Sequence, residues 1–236
     1  MEIYEWIYIA VCVLLAGVFI VARTIKGGYL GLMLKVLASM GFVVSAILGL
    51  CYTEAVGMAK LSIALIAIGM ALGMIGDILL DLKVIYDNDA WYLNTGMLSF
   101  GLGHLCYFTA LTLFAIAEDS AILVPMLVAL GISIALTIAI TISSKTMLKL
   151  DYGKYNVQTI AYTFVLSYMV VYSLLLALYL WYFWIAFAGL AIFFASDIVL
   201  SFQYFGGKIE SKPLIAINHA LYYVAQIVLL AFILII

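Results

Sequence analysis

Residues 120–142 read SAILVPMLVALGISIALTIAITI, 23 consecutive positions without one charged side chain. A run of about 20 apolar residues is what an α-helix needs to cross the roughly 30 Å hydrocarbon core of a bilayer. A strand of a membrane barrel would instead alternate apolar and polar residues over about ten positions. Lipid offers the backbone no partner, so each span must satisfy its own N–H and C=O groups as a helix. Working outward, similar runs predict eight spans, at 3–22, 29–51, 60–81, 93–116, 120–142, 156–178, 180–203 and 213–235. The expected fold is an all-α polytopic membrane protein, a bundle of about eight transmembrane helices forming a single integral membrane domain over residues 1–236.

Composition agrees with this reading. Of 236 residues, 69% are hydrophobic and 9% charged, with a mean hydropathy of +1.30. Soluble domains carry about 25% charged residues, so a cytosolic enzyme, a nucleic-acid binder and a disordered chain are excluded. The formal net charge of −2 leaves no basic surface for nucleic acid. Cys12, Cys51 and Cys106 lie in apolar runs without a CxxC pair and read as small core residues. The first run lacks a basic n-region and a small-x-small cleavage site, so it is expected to be a retained helix.

The loop charges are asymmetric. Loop one carries Arg23 and Lys26, loop three Lys83, loop five Lys145, Lys149 and Lys154, and loop seven Lys208 and Lys212. The opposite side has Lys60 with Glu2, Glu5, Glu54, Glu118 and Asp119. The positive-inside rule then places the odd loops in the cytoplasm and both termini on the non-cytoplasmic side of the cell membrane. The polar stretch 82–92, with Asp87-Asn88-Asp89-Ala90-Trp91, reads as a solvated turn rather than a lid. A weak internal echo is present. Gly76-Asp77-Ile78-Leu79-Leu80 and Ser196-Asp197-Ile198-Val199-Leu200 are each followed one loop later by His-x-x-Tyr, at His104–Tyr107 and His219–Tyr222. Such an echo fits a parallel four-plus-four repeat.

Ionisable groups within spans are costly and mark function by default. Asp77, Asp197, His104, His219 and Lys35 come from five spans and all fall in the half nearer the odd loops. Each also has a structural reading. Lys35 can snorkel, Asp81 can be a solvated helix end, Asp77 can pair with Lys35, and either histidine can be a hydrogen-bonded core residue. Tyr107, Tyr222, Tyr223 and Gln226 extend the polar faces of spans four and eight. A carboxylic acid kept neutral by an apolar site can donate a proton, and a second, held ionised, can accept one from water. The set therefore suits an acid–base hydrolase acting on a substrate that partitions into lipid. Asp81, one turn beyond Asp77, favours Asp77 as the proton donor through like-charge repulsion. No GxSxG or HExxH motif occurs. Asp and His can bind zinc, but their spacing singles out no metal, and no cofactor is implied. A proton-coupled membrane transporter and a metal-dependent intramembrane lipid hydrolase are the alternatives.

Gly76-Asp77, then Phe100-Gly101-Leu102-Gly103-His104-Leu105-Cys106-Tyr107, then Ser196-Asp197, then Tyr222-Tyr223-x-x-Gln226 resemble, in order, the motifs of the YhhN family of membrane lysoplasmalogenases. Lys35 resembles a lysine early in the family's second span, with Val36 where a proline often follows; His219 has no clear counterpart. The resemblance implies hydrolysis of the vinyl ether bond of lysoplasmalogens to a fatty aldehyde and glycerophosphoethanolamine or glycerophosphocholine. It makes Asp77, Asp197 and His104 candidate catalytic residues. Lys35, Asp81, Tyr107, Ser196, His219, Tyr222, Tyr223 and Gln226 are candidate substrate-binding residues. The expected partners are the lysophospholipid and the bilayer. The lipid chain is expected along spans four, seven and eight, with its phosphate near Lys35, Lys83, Lys208 or Lys212.

Overall fold

The computed structural model describes residues 3–86 and 90–235. The central residues of the expected 82–92 turn, 87–89, lie outside the described residues, as does Glu2. Eight long helices follow one another: α1 (Ile3–Ile25), α2 (Gly28–Tyr52), α3 (Gly57–Ile85), α4 (Ala90–Ala117), α5 (Leu123–Thr146), α6 (Asn156–Ala177), α7 (Phe183–Phe205) and α8 (Lys212–Ile235). All eight are long and apolar enough to cross a membrane, as expected. Pro125 and Pro213 stand within the first turns of α5 and α8, where the missing N–H costs little. Gly27 and Gly28 adopt φ of 61° and 59°, which lets α1 reverse into α2 in a very short turn.

Seven helices close a ring. Around it, α1 packs on α2, α2 on α3, α3 on α4, α4 on α6, α6 on α7, α7 on α8 and α8 on α1. α8 also reaches α2 and α3 across the ring, whereas α5, among the described residues, packs only on α6. The closest seam joins α3 and α4, where glycines let the backbones meet. A Cβ on Gly69 would lie 3.0 Å from the Gly103 carbonyl oxygen, and one on Gly76 would lie 2.6 Å from the Phe100 ring. This seam sets Asp77 and His104, each next to one of these glycines, in the interior. On the other side, α7 and α8 are joined by hydrogen bonds. Asn218 Nδ2 donates to the Ser196 carbonyl at 2.8 Å, and Gln203 Nε2 donates to the Leu214 carbonyl at 2.9 Å.

The helices run farthest past the expected spans at the C-terminal ends of α3, from residue 81 to Ile85, and of α5, from residue 142 to Thr146. The apolar window ends at Asp81 and Lys83, yet both side chains find partners within the protein. Asp81 meets Arg23 and Lys35, and Lys83 Nζ lies 4.4 Å from the centre of the Tyr204 ring.

Candidate functional site

A cavity of about 370 Å³ opens at the end of the bundle formed by the α1–α2 and α7–α8 connections, among α1, α2, α3, α7 and α8. Of the expected site residues, Lys35, Asp77, Asp81, Ser196, Asp197, His219 and Tyr222 line it. Asp77 and Asp197 occupy the same register in their helices, each eight residues before the end (77 to 85 and 197 to 205).

The two carboxylates have different company. Lys35 Nζ lies 3.1 Å from Asp77 Oδ1 and 3.3 Å from Asp81 Oδ1. Arg23 reaches the same Asp81 oxygen at 3.4 Å. Ser39, one helical turn after Lys35, donates to Asp77 Oδ2 at 2.9 Å, and the Tyr222 hydroxyl also faces Asp77. Four charges, two of each sign, are thus taken out of solvent as one network, which is how buried charges become tolerable. Asp77 is 4% exposed and Asp81 3%. Asp197 is only half-buried and has no cation in the described ion pairs. Its Oδ2 accepts a hydrogen bond from the Tyr162 hydroxyl of α6 at 2.8 Å.

His104, Tyr107, Tyr223 and Gln226 sit behind this cavity. His104 does not line it. Its Nδ1 donates to the Phe100 carbonyl at 2.7 Å, one turn back in α4, and its ring packs edge-on against Phe193 at 4.7 Å. His104 lies fourteen residues into α4 (90 to 104), against seven for His219 in α8 (212 to 219). That places it about two turns deeper than the carboxylates' level. Tyr107 and Gln226 face each other in the interior, with Tyr107 packed over Gly69. Tyr223 stacks on Phe42 and shares a hydrogen bond with Ser39 at 3.3 Å. His219 packs edge-on against Phe19 at 4.9 Å on the cavity wall. Ser196 is engaged with Asn218 through its carbonyl and its hydroxyl.

Sequence reasoning missed four groups. Arg23 reads as a topogenic loop charge, yet its side chain crosses Gly31 and turns inward to Asp81. Ser39 carries a legible signal, since it lies four residues after Lys35 on the same helical face. Tyr162 and Asn218 carry none, because their partners lie on other helices. The expected head-group lysines also separate. Lys212 lines the cavity mouth with Lys26, whereas Lys83 covers the Tyr204 ring and, like Lys208, does not line the mouth. Among the described residues, no three His, Cys, Asp or Glu side chains converge to hold a metal ion.

Chemically, the cavity joins an ion-paired carboxylate, a carboxyl group with no cation among the described ion pairs, and a rim where Lys26 and Lys212 stand with Glu210. That arrangement can give a proton, stabilise a positive charge and hold an anion. Comparison with known proteins matches residues 30–233 to the profile of the YhhN family. No curated protein and no solved structure matches the chain.

Proposed function

The chain belongs to the YhhN family, and from that premise we propose that it is an intramembrane hydrolase that cleaves the vinyl ether bond of lysoplasmalogens. The observation that carries this reading is the pairing of unlike carboxylates, Asp77 and Asp197, on one cavity. A vinyl ether hydrolyses through protonation of the carbon β to oxygen, which creates an oxocarbenium ion. Asp197, without a cation beside it, is the donor. Tyr162 occupies Oδ2, so Oδ1 carries the proton. Asp77, held as a carboxylate by Lys35 and Ser39, faces the developing positive charge. Water then adds to the cationic carbon and releases a proton to the carboxylates, which restores the acid. The hemiacetal collapses to aldehyde as its hydroxyl proton passes to the departing glycerol oxygen. This reverses the donor expected from the Asp77–Asp81 spacing. The cations that neutralise that repulsion come from α1 and α2, out of sight of α3's own sequence.

The head group lies toward the mouth, where Lys26 and Lys212, beside Glu210, meet its phosphate as positive charges. Aldehyde release from purified protein given a lysoplasmalogen tests the proposal. Asp197→Asn and Asp77→Asn should each lower turnover by about 10²–10⁴-fold, the usual worth of a proton-transfer group. Near-normal aldehyde release from either variant would remove that residue from the mechanism.

A further inference from the structure

The polar cavity does not exhaust the space around Asp197. A second cavity of about 330 Å³ abuts it, and Leu80, Asp197, Leu200 and Tyr204 stand on both. Its wall is apolar, with Leu93 and Met97 of α4, Leu166 of α6 and Phe194 of α7. The serine and threonine hydroxyls of Ser144, Thr159 and Ser201 on it donate to nearby carbonyls of their own chain segment, and Tyr162 and Tyr204 reach across to α7 and α3. Ser144 donates to the Thr141 carbonyl and Thr159 to the Tyr155 carbonyl, both at 2.9 Å. Farther along the same three helices, with no lining residue in common, an apolar groove of about 370 Å³ lies between Leu105 and Phe108 of α4 and Leu127 and Leu130 of α5, over Val165 and Met169 of α6.

The two spaces follow one seam. Among the described residues α4 and α5 do not pack on each other, and α6 alone carries α5. From Met97 to Phe108 the α4 axis rises about 16 Å, close to half of the roughly 30 Å hydrocarbon core. One leaflet's lipid chain covers that depth.

We infer that the α4–α5 seam, floored by α6, binds the single hydrocarbon chain of an amphiphile that enters sideways from the bilayer. The chain's head-group end lies at Asp197 and its methyl end beside Leu127 and Met169. The inference rests on the lysoplasmalogen reading of the Asp197 cavity and deepens it by placing the substrate's one chain, for which a single seam suffices. It also moves the chain from the expected path along spans seven and eight. Those helices are closed on each other, and a Cβ on Gly189 would lie 2.9 Å from Leu229.

The test uses the full chain in nanodiscs with saturated, ether-linked lysophosphocholines that carry a photoreactive diazirine and cannot be hydrolysed. A diazirine near the chain's start should label α4 and α6 around Met97 and Thr159. One at the chain's end should label around Leu127 and Met169. Excess unlabelled lysolipid should suppress both. End-of-chain labelling on α1, α2 or α8, or labelling that excess lysolipid does not suppress, overturns the inference. Each methylene buried contributes about fourfold in affinity. Leu127→Trp should therefore lower the ratio of long-chain to short-chain affinity at least tenfold, and an equal loss for both lengths overturns the inference. Seam labelling without aldehyde release would refute the hydrolase reading and keep the chain site; aldehyde release without seam labelling would do the reverse.

Discussion

Lys35 stands 3.1 Å from Asp77 and 3.3 Å from Asp81, with 4% of its surface exposed. A lysine so placed serves the carboxylates before it serves any phosphate. Lys35→Met should therefore impair a phosphate-bearing lysoplasmalogen and a head-group-free vinyl ether alike, by about 100-fold or more in kcat/KM. A loss confined to the phosphate-bearing substrate would return Lys35 to head-group binding. Removing one partner of a buried pair costs about 3–5 kcal/mol, so the same variant should also melt earlier in detergent. Asp197→Asn, at a half-buried group whose hydrogen bond from Tyr162 the amide oxygen can still accept, should leave the melting temperature nearly unchanged. Tyr162→Phe removes that bond, worth about 0.5–1.5 kcal/mol to the neutral carboxyl group, and should slow turnover up to about tenfold without loss of fold. The carboxylates and Lys35 were legible because a charge inside an apolar run stands out. Tyr162 was not, for the chain has 17 tyrosines and only the α6–α7 contact selects this one. Arg23 was misread because a cation at the end of a span looks the same whether it points to water or inward.

At the scale of helices, the α3–α4 seam makes the sharpest claim. A Cβ on Gly69 would press on the Tyr107 ring and on the Gly103 carbonyl oxygen at 3.0 Å, and that backbone cannot yield without moving α4. Gly69→Ala should destabilise the protein by about 1–3 kcal/mol, the usual cost of overpacking. Gly131, midway along α5, has nothing within 4 Å of its added Cβ. Gly131→Ala should stabilise by up to about 1 kcal/mol through helix propensity. Opposite shifts in the thermal unfolding of the two variants would check the seam, and equal shifts would remove it. The eight helices themselves were readable from hydropathy, because each must satisfy its own backbone in lipid. Their ring order was not. Core and lipid are both apolar, so hydropathy does not mark which face of α4 packs inward; only the small residues at Gly96, Gly103 and Ala110 trace it, at seven-residue steps.

For the whole molecule, the cationic mouth ties orientation to chemistry. Lys26 and Lys212, which line the polar cavity, are also odd-loop charges of the kind that hold a loop in the cytoplasm. One set of residues would then fix the topology and place the head group of the substrate. If so, the cavity opens to the cytoplasm, both termini face away from it, and the water-soluble glycerophospho product leaves on the cytoplasmic side while the aldehyde stays in the bilayer. Two exposed positions from opposite ends read this out, Glu118 after α4 and Lys149 after α5. In a background carrying Cys51→Ala to remove the exposed native thiol, Glu118→Cys should react with a membrane-impermeant maleimide on intact cells. Lys149→Cys should react only after permeabilisation. Sealed right-side-out vesicles loaded with lysoplasmalogen in the inner leaflet should accumulate the head-group product in the lumen. The reverse labelling pattern would invert the protein in the membrane, and product appearing outside would then follow from the same cavity facing the other way.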